Sequence, residues 1–579
     1  MDYNERYMSW VNDDYFDLET RGELEAIKGN EKEIEDRFFM DLDFGTAGLR
    51  GVIGAGTNRM NIYTVRKATQ GLANYILKQG PEGKSKGVCI AYDSRHFSKE
   101  FAEVAALVLN GNGIKTYIFD SLRPTPELSF AVRHQGAIAG IVVTASHNPP
   151  EYNGYKVYWS DGAQVPYPRD GEIIAEVNNV TDFKSIKFLD KGESVAKGLF
   201  NVMGEEVDKL FISNVKAQTV NLSLIDEVKD DLIVVYTPLH GTGNIPVRRT
   251  LKELGYKNVY VVGAQELPDP DFSTVGYPNP EDPKAFKLAI ELAKEKGADI
   301  VFATDPDCDR VGCAVKDKTG EYKLLSGNMT GILITNYILS EKQKNGVLPE
   351  NGTIISTIVS SDMTKAIAKA YNVGYIDVLT GFKYIGEKIK EFEESGSNTY
   401  LFGFEESYGC LAGTYARDKD AVVASMLLCE LAAYYKKRGM NLYDGMIELY
   451  EKYGYYVDQI QSVALKGIEG LSNIKKIMAG LRANQPKTIN GIDIAEVRDY
   501  GKSEAYNLAT GLTEKLDMPV SNVLYYVLAD ESWFCIRPSG TEPKIKIYYG
   551  VKGKDMAQAE EKAKQLKEGC MALVDSYLS

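Results

Sequence analysis

Four short stretches of this 579-residue chain gather residue types that could do chemistry together. The first runs Thr144-Ala145-Ser146-His147-Asn148-Pro149-Pro150 and continues to Lys156. A serine followed so closely by two prolines can neither extend a strand nor enter a helix, which makes its hydroxyl a candidate nucleophile held in a turn. Lys156, after Asn153-Gly154, adds a cation within turn distance that suits an oxyanion. Taken alone, a loop serine is ordinarily just a turn residue. The second stretch is Asp305-Pro306-Asp307-Cys308-Asp309-Arg310. Carboxylates at every second position of an extended loop can converge, and they repel one another unless a cation intervenes. Oxygen-only donors favour Mg²⁺ or a similarly hard divalent ion. A solvated acidic loop is the alternative, against which stands the apolar, strand-like run ADIVFAT just before it.

Glu405-Glu406-Ser407 is the third stretch, a pair of acceptors suited to vicinal hydroxyls, although acidic pairs in loops are usually only solvated. Downstream, Arg417-Asp418-Lys419-Asp420 reads equally well as a capped, salt-bridged helix start or as a functional group. The fourth stretch is Arg537-Pro538-Ser539-Gly540-Thr541-Glu542-Pro543-Lys544. A guanidinium, two hydroxyls and backbone N–H groups around a glycine form an anion cradle, with a plain turn as the alternative. No Walker-type GKS/T run is present, so a nucleotide loop is not indicated.

The elements that must carry these loops repeat one plan three times. Residues 88–145 read strand, helix, strand, helix, strand, ending on AGIVVTA before Ser146. The second copy runs from LIVVYTPLHG at Leu232 to ADIVFATD, ending near Asp305. The third runs from GTIISTIVSS at Gly352 to TYLFGF before Glu405. The β-branched runs suit parallel strands buried on both faces. Phe286, Ala289, Ile290 and Ala293 make one apolar helix stripe, with Asp282 as N-cap, Pro283 in the first turn and Gly297 at the C-terminal end. In parallel α/β sheets ligands sit beyond the carboxyl ends of the strands, where three of these loops lie. After about residue 455 the pattern changes to strands around a Gly/Pro-rich loop and a long amphipathic helix from about Asp555, a smaller α+β domain. The first 40 residues are acidic and helix-like.

Composition narrows the class. A net charge of −14 argues against a general binder of nucleic acid or anionic membranes. Seven cysteines without a CxxC pair make neither a disulfide framework nor a zinc ribbon, and four scattered histidines make no His-rich metal site. The start MDYNERYMSW lacks the basic and apolar regions of a secretion signal, and no run of about 18 apolar residues occurs, so a cytoplasmic enzyme is expected.

The four loops in this order resemble the α-D-phosphohexomutase superfamily, which includes phosphoglucomutases, phosphomannomutases and phosphoglucosamine mutases. The resemblance runs from FGTAGLRG (Phe44–Gly51) to RPSGTEPK, and TASHNPPEYNGYKVY is its most specific part. It implies three topologically similar α/β domains with mixed or parallel sheets plus a C-terminal α+β domain, arranged around a central cleft. The expected divisions are 1–205 (phosphoserine domain), 206–325 (metal-binding), 326–453 (sugar-binding) and 454–579 (phosphate-binding), with a hinge near Tyr453–Tyr456.

By the same resemblance Ser146 is the phosphoserine, and Asp305, Asp307 and Asp309, with Ser146, bind one Mg²⁺ per chain. Arg50, Lys156 and Arg310 surround the phosphoryl group. Glu405, Ser407 and Lys383 meet the sugar, Lys383 or Lys419 standing as proton-transfer or binding groups. Arg537, Ser539, Gly540 and Thr541 hold the distal phosphate. The implied reaction interconverts α-D-glucose 1-phosphate and glucose 6-phosphate, with glucose 1,6-bisphosphate as intermediate and activator. Sugar phosphates are the expected partners, not nucleic acid or membrane, and the expected state is a monomer or homodimer. Phosphomannomutase or phosphopentomutase activity is the alternative within the family; a metal-dependent sugar phosphatase and a non-catalytic sugar-phosphate binder are the alternatives outside it. Mannose-active members often carry Gly-Glu-Met-Ser-Gly-His at the sugar loop. Here it reads Phe-Glu-Glu-Ser-Tyr-Gly, favouring glucose, and Ser407 weighs mildly against a pentose. Arg50, Lys156, Arg310, Lys383, Arg537 and Lys544 are expected to make a basic focus inside an acidic shell.

Overall fold

The computed structural model describes residues 2–44, 48–465, 467–539 and 544–578. They form two compact units. One comprises residues up to 326 with 385–396 and 408–441; the other comprises 327–384, 397–407 and the chain from 442.

The first unit contains two of the repeats. Val88–Tyr92, Thr116–Phe119 and Ala139–Val143 are parallel neighbours, connected through the helices Ser98–Gly111 and Thr125–His134. Every residue of Val88–Tyr92 and Ala139–Val143 is buried, as strands covered on both faces require. The second repeat places Ile233–Thr237 between Asn258–Val261 and Ile300–Thr304, again in parallel. In the helix Lys287–Lys296, Ala289 and Ala293 are buried together with Phe286 just ahead of it. The Asp282 carboxylate accepts from the Lys284 amide at 2.9 Å, and Gly297 ends the helix in the left-handed region at φ 70°.

Two features depart from a purely parallel reading. Tyr152–Trp159 runs antiparallel to Ala139–Val143 and in turn pairs with Leu49–Val52. Lys156 therefore stands in mid-strand opposite Val142. The aromatic and β-branched side chains of YKVYW outweigh the local turn signal. In the second sheet, Val311–Lys316 doubles back antiparallel on Ile300–Thr304, making the Asp305–Arg310 segment the connection of a hairpin. Ahead of both sheets, three short helices pack around Trp10, whose ring stacks on Phe16 at 4.1 Å and meets Phe38 and Tyr63 edge-on.

The second unit holds the third parallel arrangement, Gly352–Thr357 between Gly374–Val378 and Thr399–Glu405. It continues from the helix Leu442–Tyr453 through Gly454 (φ 110°) into Tyr455–Ala464. That strand pairs with Lys544–Gly553, which pairs with Trp533–Pro538 and onward through Leu524–Leu528 and Ile492–Asp499, antiparallel throughout. The helices Gly467–Ala483 and Met556–Asp575 pack on this sheet, the latter capped by Asp555 as its sequence suggests. Among the described residues no helix is long and apolar enough to cross a membrane.

One helix of the first unit, Ala421–Lys437, is apolar almost all round and buried along most of its length against Ile300–Thr304 and Val311–Lys316. Asp420 starts it by accepting from the Val422 and Val423 amides at 2.7 and 3.2 Å, and Tyr415 donates to the same side chain. Burial pushes the Asp420 carboxyl up from 3.8 to about 6, although the Tyr415 hydroxyl and these amides work the other way. A raised folded pKa means this group's contribution to stability is complete below its ordinary pKa and is lost as pH rises through about 6. Asp420→Ala should cost about 1–2 kcal/mol through loss of the cap. Asp420→Asn keeps an acceptor without the buried charge. It should match or exceed the wild-type Tm at about pH 7.5, its advantage shrinking toward about pH 4.5; an Asn variant as unstable as Ala at both values would refute this account.

Candidate active site

At the carboxyl edge of Ala139–Val143 the chain turns sharply. Ser146 lies in the left-handed region at φ 53°, a conformation that costs a non-glycine residue of order 1 kcal/mol. Its amide donates to Thr144 Oγ1 at 2.8 Å. This geometry brings Ser146 Oγ within 2.9 Å of Asp305 Oδ2 and 3.2 Å of His147 Nδ1. Ser146 is only 3% exposed.

The partner loop follows Ile300–Thr304. One carboxylate oxygen from each of Asp305, Asp307 and Asp309 lies within 4.8 Å of the others, and all three residues are buried. The loop is held from several sides. Thr125, first residue of the helix Thr125–His134, donates its amide to the Asp307 carbonyl and its hydroxyl to Asp307 Oδ2, both at 2.9 Å. The Asp309 and Arg310 amides donate to Asp305 Oδ1 at 3.1 and 3.0 Å. The turn after Ile233–Thr237 presses on it too. The Thr242 amide donates to the Pro306 carbonyl at 2.8 Å, and a Cβ on Gly241 would lie 2.5 Å from Pro306 Cα. Only glycine permits that approach.

Two ammonium groups answer the three carboxylates. Lys156 Nζ stands 2.7 Å from Asp307 Oδ2 and 3.5 Å from Asp309 Oδ2, and Lys419 Nζ stands 3.1 Å from Asp309 Oδ2. At an effective dielectric of about 20, each pair of unit charges ~4 Å apart is worth about 4 kcal/mol, so repulsion and attraction here are of similar size. The outcome is uneven. Burial, then repulsion from Asp307 and Asp309, drives the Asp305 carboxyl well above the usual carboxylate range. Asp307 is held well below it because Lys156 and Thr125 outweigh its burial. Asp307 and Asp309 raise Lys156 against the opposing effect of burial.

The donor set fits a hard divalent cation. Asp307 Oδ1 and Asp309 Oδ1 are buried acceptors without a hydrogen-bond partner, a costly state that a cation between them relieves. Asp305 Oδ2, bonded to Ser146 Oγ, brings a third carboxylate to the same cluster. Oxygen donors alone suit Mg²⁺ better than softer metals.

The structure thus gathers Ser146, Lys156, Asp305, Asp307 and Asp309. Arg50 joins from the neighbouring strand, its Nη1 3.5 Å from Asn148 Oδ1, while Arg310 is ion-paired with Glu281. In the Arg417–Asp420 segment Asp420 caps the helix, and Lys419 reaches the carboxylate loop. Thr125 and Arg95 were not singled out by sequence reasoning. Thr125 sits in an unremarkable helix start, and Arg95 closes the run VCIAYDSR that reads simply as a strand. Their signal was positional, since both follow strands whose carboxyl ends face the same region.

In the second unit Glu405 Oε1 accepts from the Gly381 amide at 2.8 Å, and Glu406 Oε2 accepts from Thr357 Oγ1 at 2.9 Å. Ser407 follows at the end of the same unit's segment. Lys383 Nζ lies 5.2 Å from the Tyr384 ring centre. Arg537 donates to the Tyr548 hydroxyl at 2.9 Å, and the Ser539 amide donates to the Lys544 carbonyl at 2.8 Å. Gly540 and Thr541 lie outside the described residues.

Comparison with known proteins gives the family. Residues 41–184, 209–320 and 326–453 match, in turn, the alpha/beta/alpha domains I, II and III of the phosphoglucomutase/phosphomannomutase family. A phosphoglucomutase of Staphylococcus aureus (strain MRSA252) is 39% identical over 535 residues, covering 92% of this chain and 94% of that protein. In fold, the chain is similar to a putative phosphomannomutase from Thermus thermophilus (TM-score 0.66, 20% identity, covering 92% of this chain and all of that one). It is also similar to the open form of pp63/parafusin, a phosphoglucomutase from Paramecium (TM-score 0.65, 17% identity, covering 93% and 95%). On the three matched domains and the full-length likeness, the chain belongs to the phosphoglucomutase/phosphomannomutase family of phosphohexomutase isomerases.

Proposed function

We propose that the chain interconverts α-D-glucose 1-phosphate and glucose 6-phosphate through a phosphate carried on Ser146, with glucose 1,6-bisphosphate as the intermediate. The observation that carries this reading is the placement of Ser146 Oγ 2.9 Å from Asp305 Oδ2, beside three converged carboxylates and Lys156. A phosphate of about −2 charge on this oxygen cannot sit among carboxylates without added positive charge. Asp305, Asp307, Asp309 and Ser146 would hold one Mg²⁺, which when bound supplies that charge and polarises the phosphoryl oxygens.

The phosphoryl group moves from Ser146 Oγ to the free sugar hydroxyl: the Ser146 O–P bond breaks, a sugar O–P bond forms, and the hydroxyl proton ends on Ser146 Oγ. The resulting bisphosphate then returns its other phosphoryl group to Ser146, and the isomerised monophosphate leaves. Such transfers depend on positioning and charge neutralisation more than on covalent chemistry. Lys156, Arg50 and Arg310 are assigned to the phosphoryl oxygens. Glu405, Ser407 and Lys383 are assigned to the sugar, and Arg537, Ser539, Gly540 and Thr541 to the phosphate that does not react. A glucose preference is supported by the Phe-Glu-Glu-Ser-Tyr-Gly loop, which lacks the histidine typical of mannose-active members, and by the named phosphoglucomutase at 39% identity.

Ser146→Ala should lower mutase turnover by at least about a thousandfold, and the phosphate seen by intact-protein mass spectrometry should vanish with it. A variant keeping most of its activity would rule out the relay. Parallel kcat/KM measurements on glucose 1-phosphate and mannose 1-phosphate should favour glucose; equal values or a mannose preference would reassign the substrate. Titration calorimetry should give one Mg²⁺ per wild-type chain. Loss of the Asp307 contact in Thr125→Val should weaken that binding about tenfold, without abolishing it as Asp307→Ala does. Unchanged affinity in both variants would sink the metal assignment.

A further inference from the structure

The left-handed turn at Ser146 is held by a side chain from another loop. Arg95, 3% exposed, follows the strand Val88–Tyr92 and directs its guanidinium beneath the Ser146–Tyr152 segment. Nη2 donates to the carbonyls of Ser146 and Asn148, and Nη1 donates to those of Pro149 and Tyr152 at 2.8 and 3.2 Å. Asp93 fixes the guanidinium from behind. Its Oδ2 lies 3.3 Å from Arg95 Nε, while Oδ1 accepts from the Arg95 amide at 3.0 Å and from Ser98 Oγ at 2.7 Å. The wholly buried Phe272 ring covers Arg95, its centre 4.9 Å from Cζ. The same loop reaches the far end of the segment, where Asn153 Nδ2 donates to the His96 carbonyl and to Ser98 Oγ at 2.9 and 3.0 Å.

A planar fork that satisfies four carbonyls of one short segment fixes that segment's curvature, and no other side chain offers this geometry. We infer that Arg95 is a positioning residue for the transfer reaction: it holds the backbone turn that aims Ser146 Oγ at the carboxylate cluster. The inference rests on the phosphoserine reading above. Arg95 bonds to backbone oxygens of the loop and not to the Ser146 hydroxyl, so its effect is on alignment. A misplacement of about 1 Å in a reacting group can cost of order a hundredfold in rate.

The test compares wild type, Arg95→Lys and Phe272→Leu. Lysine keeps the buried charge but cannot span four carbonyls; leucine keeps apolar cover but removes the ring from the guanidinium. Arg95→Lys should lower kcat on glucose 1-phosphate about 10- to 100-fold with KM changed by less than about threefold. Transfer of phosphate from glucose 1,6-bisphosphate to Ser146, followed by intact-protein mass spectrometry, should slow by a similar factor. Hydrogen exchange should rise over residues 144–153 and stay at wild-type levels elsewhere. Phe272→Leu should shift all three readouts in the same direction by less. Unchanged kcat, or exchange raised across the whole first unit together with the loss of kcat, would overturn the inference. Wild-type protein that accepts no phosphate on Ser146 would overturn the phosphoserine reading instead, while the exchange measurement still decides whether Arg95 holds the loop.

Discussion

Like charges crowded in a buried place set the terms for the first unit. Asp305, Asp307 and Asp309 stand close enough that their mutual repulsion rivals the net stability of a whole domain. A loop left to itself would splay them into solvent. Here the peptide amides of the same loop, the hydroxyl of Thr125, two ammonium groups and the backbone contact at Gly241 together hold the cluster. With the Arg310 guanidinium also 3.8 Å from Asp309, the cluster still keeps two buried carboxylate oxygens without a hydrogen bond. Those two oxygens are where a further cation would find partners.

The serine side shows the same economy in a different form. Its strain is conformational, a left-handed residue in a turn, and its compensation is a fixed cation beneath the backbone. Both halves of the site therefore join an unfavourable local state to a rigid support from another element. Such local costs persist where the surrounding structure over-determines the conformation. They also fix the Ser146 oxygen in place, so that the proposed transfer would need no rearrangement when charge moves.

Much of this was legible in the sequence, and the illegible part has a common character. The parallel strands could be read because uninterrupted β-branched runs mean burial on both faces, and the alternating aspartates because their spacing has few other uses. Asp282, Gly297 and Asp555 marked helix ends that the structure contains. Tyr152–Trp159 carries an Asn-Gly pair, whose turn preference is overridden by pairing on both strand edges and by burial of Tyr155, Val157 and Trp159 in the core. Arg95 and Thr125 were illegible for another reason. Each acts on a segment distant in sequence, through contacts that no local pattern announces. At Arg417–Asp420 the helix start is present, capped by Asp420, with Lys419 next to it meeting a carboxylate.

The antiparallel strand Tyr152–Trp159 does more than close a sheet edge. Its ladder pairs Gly154 with Arg50 on one side and Lys156 with Val142 on the other, and Val142 lies on the strand that leads to Ser146. Two cationic side chains and the serine loop are thereby indexed to one another by peptide hydrogen bonds, like marks on a single ruler. A slip of one residue would turn Lys156 to the opposite face of the sheet and carry its charge away from Asp307 altogether. Length variation among natural variants should therefore be strongly excluded between residues 139 and 159 and freer in the loops at the far end of the same strands. In this part of the molecule, charge placement is inherited from strand register.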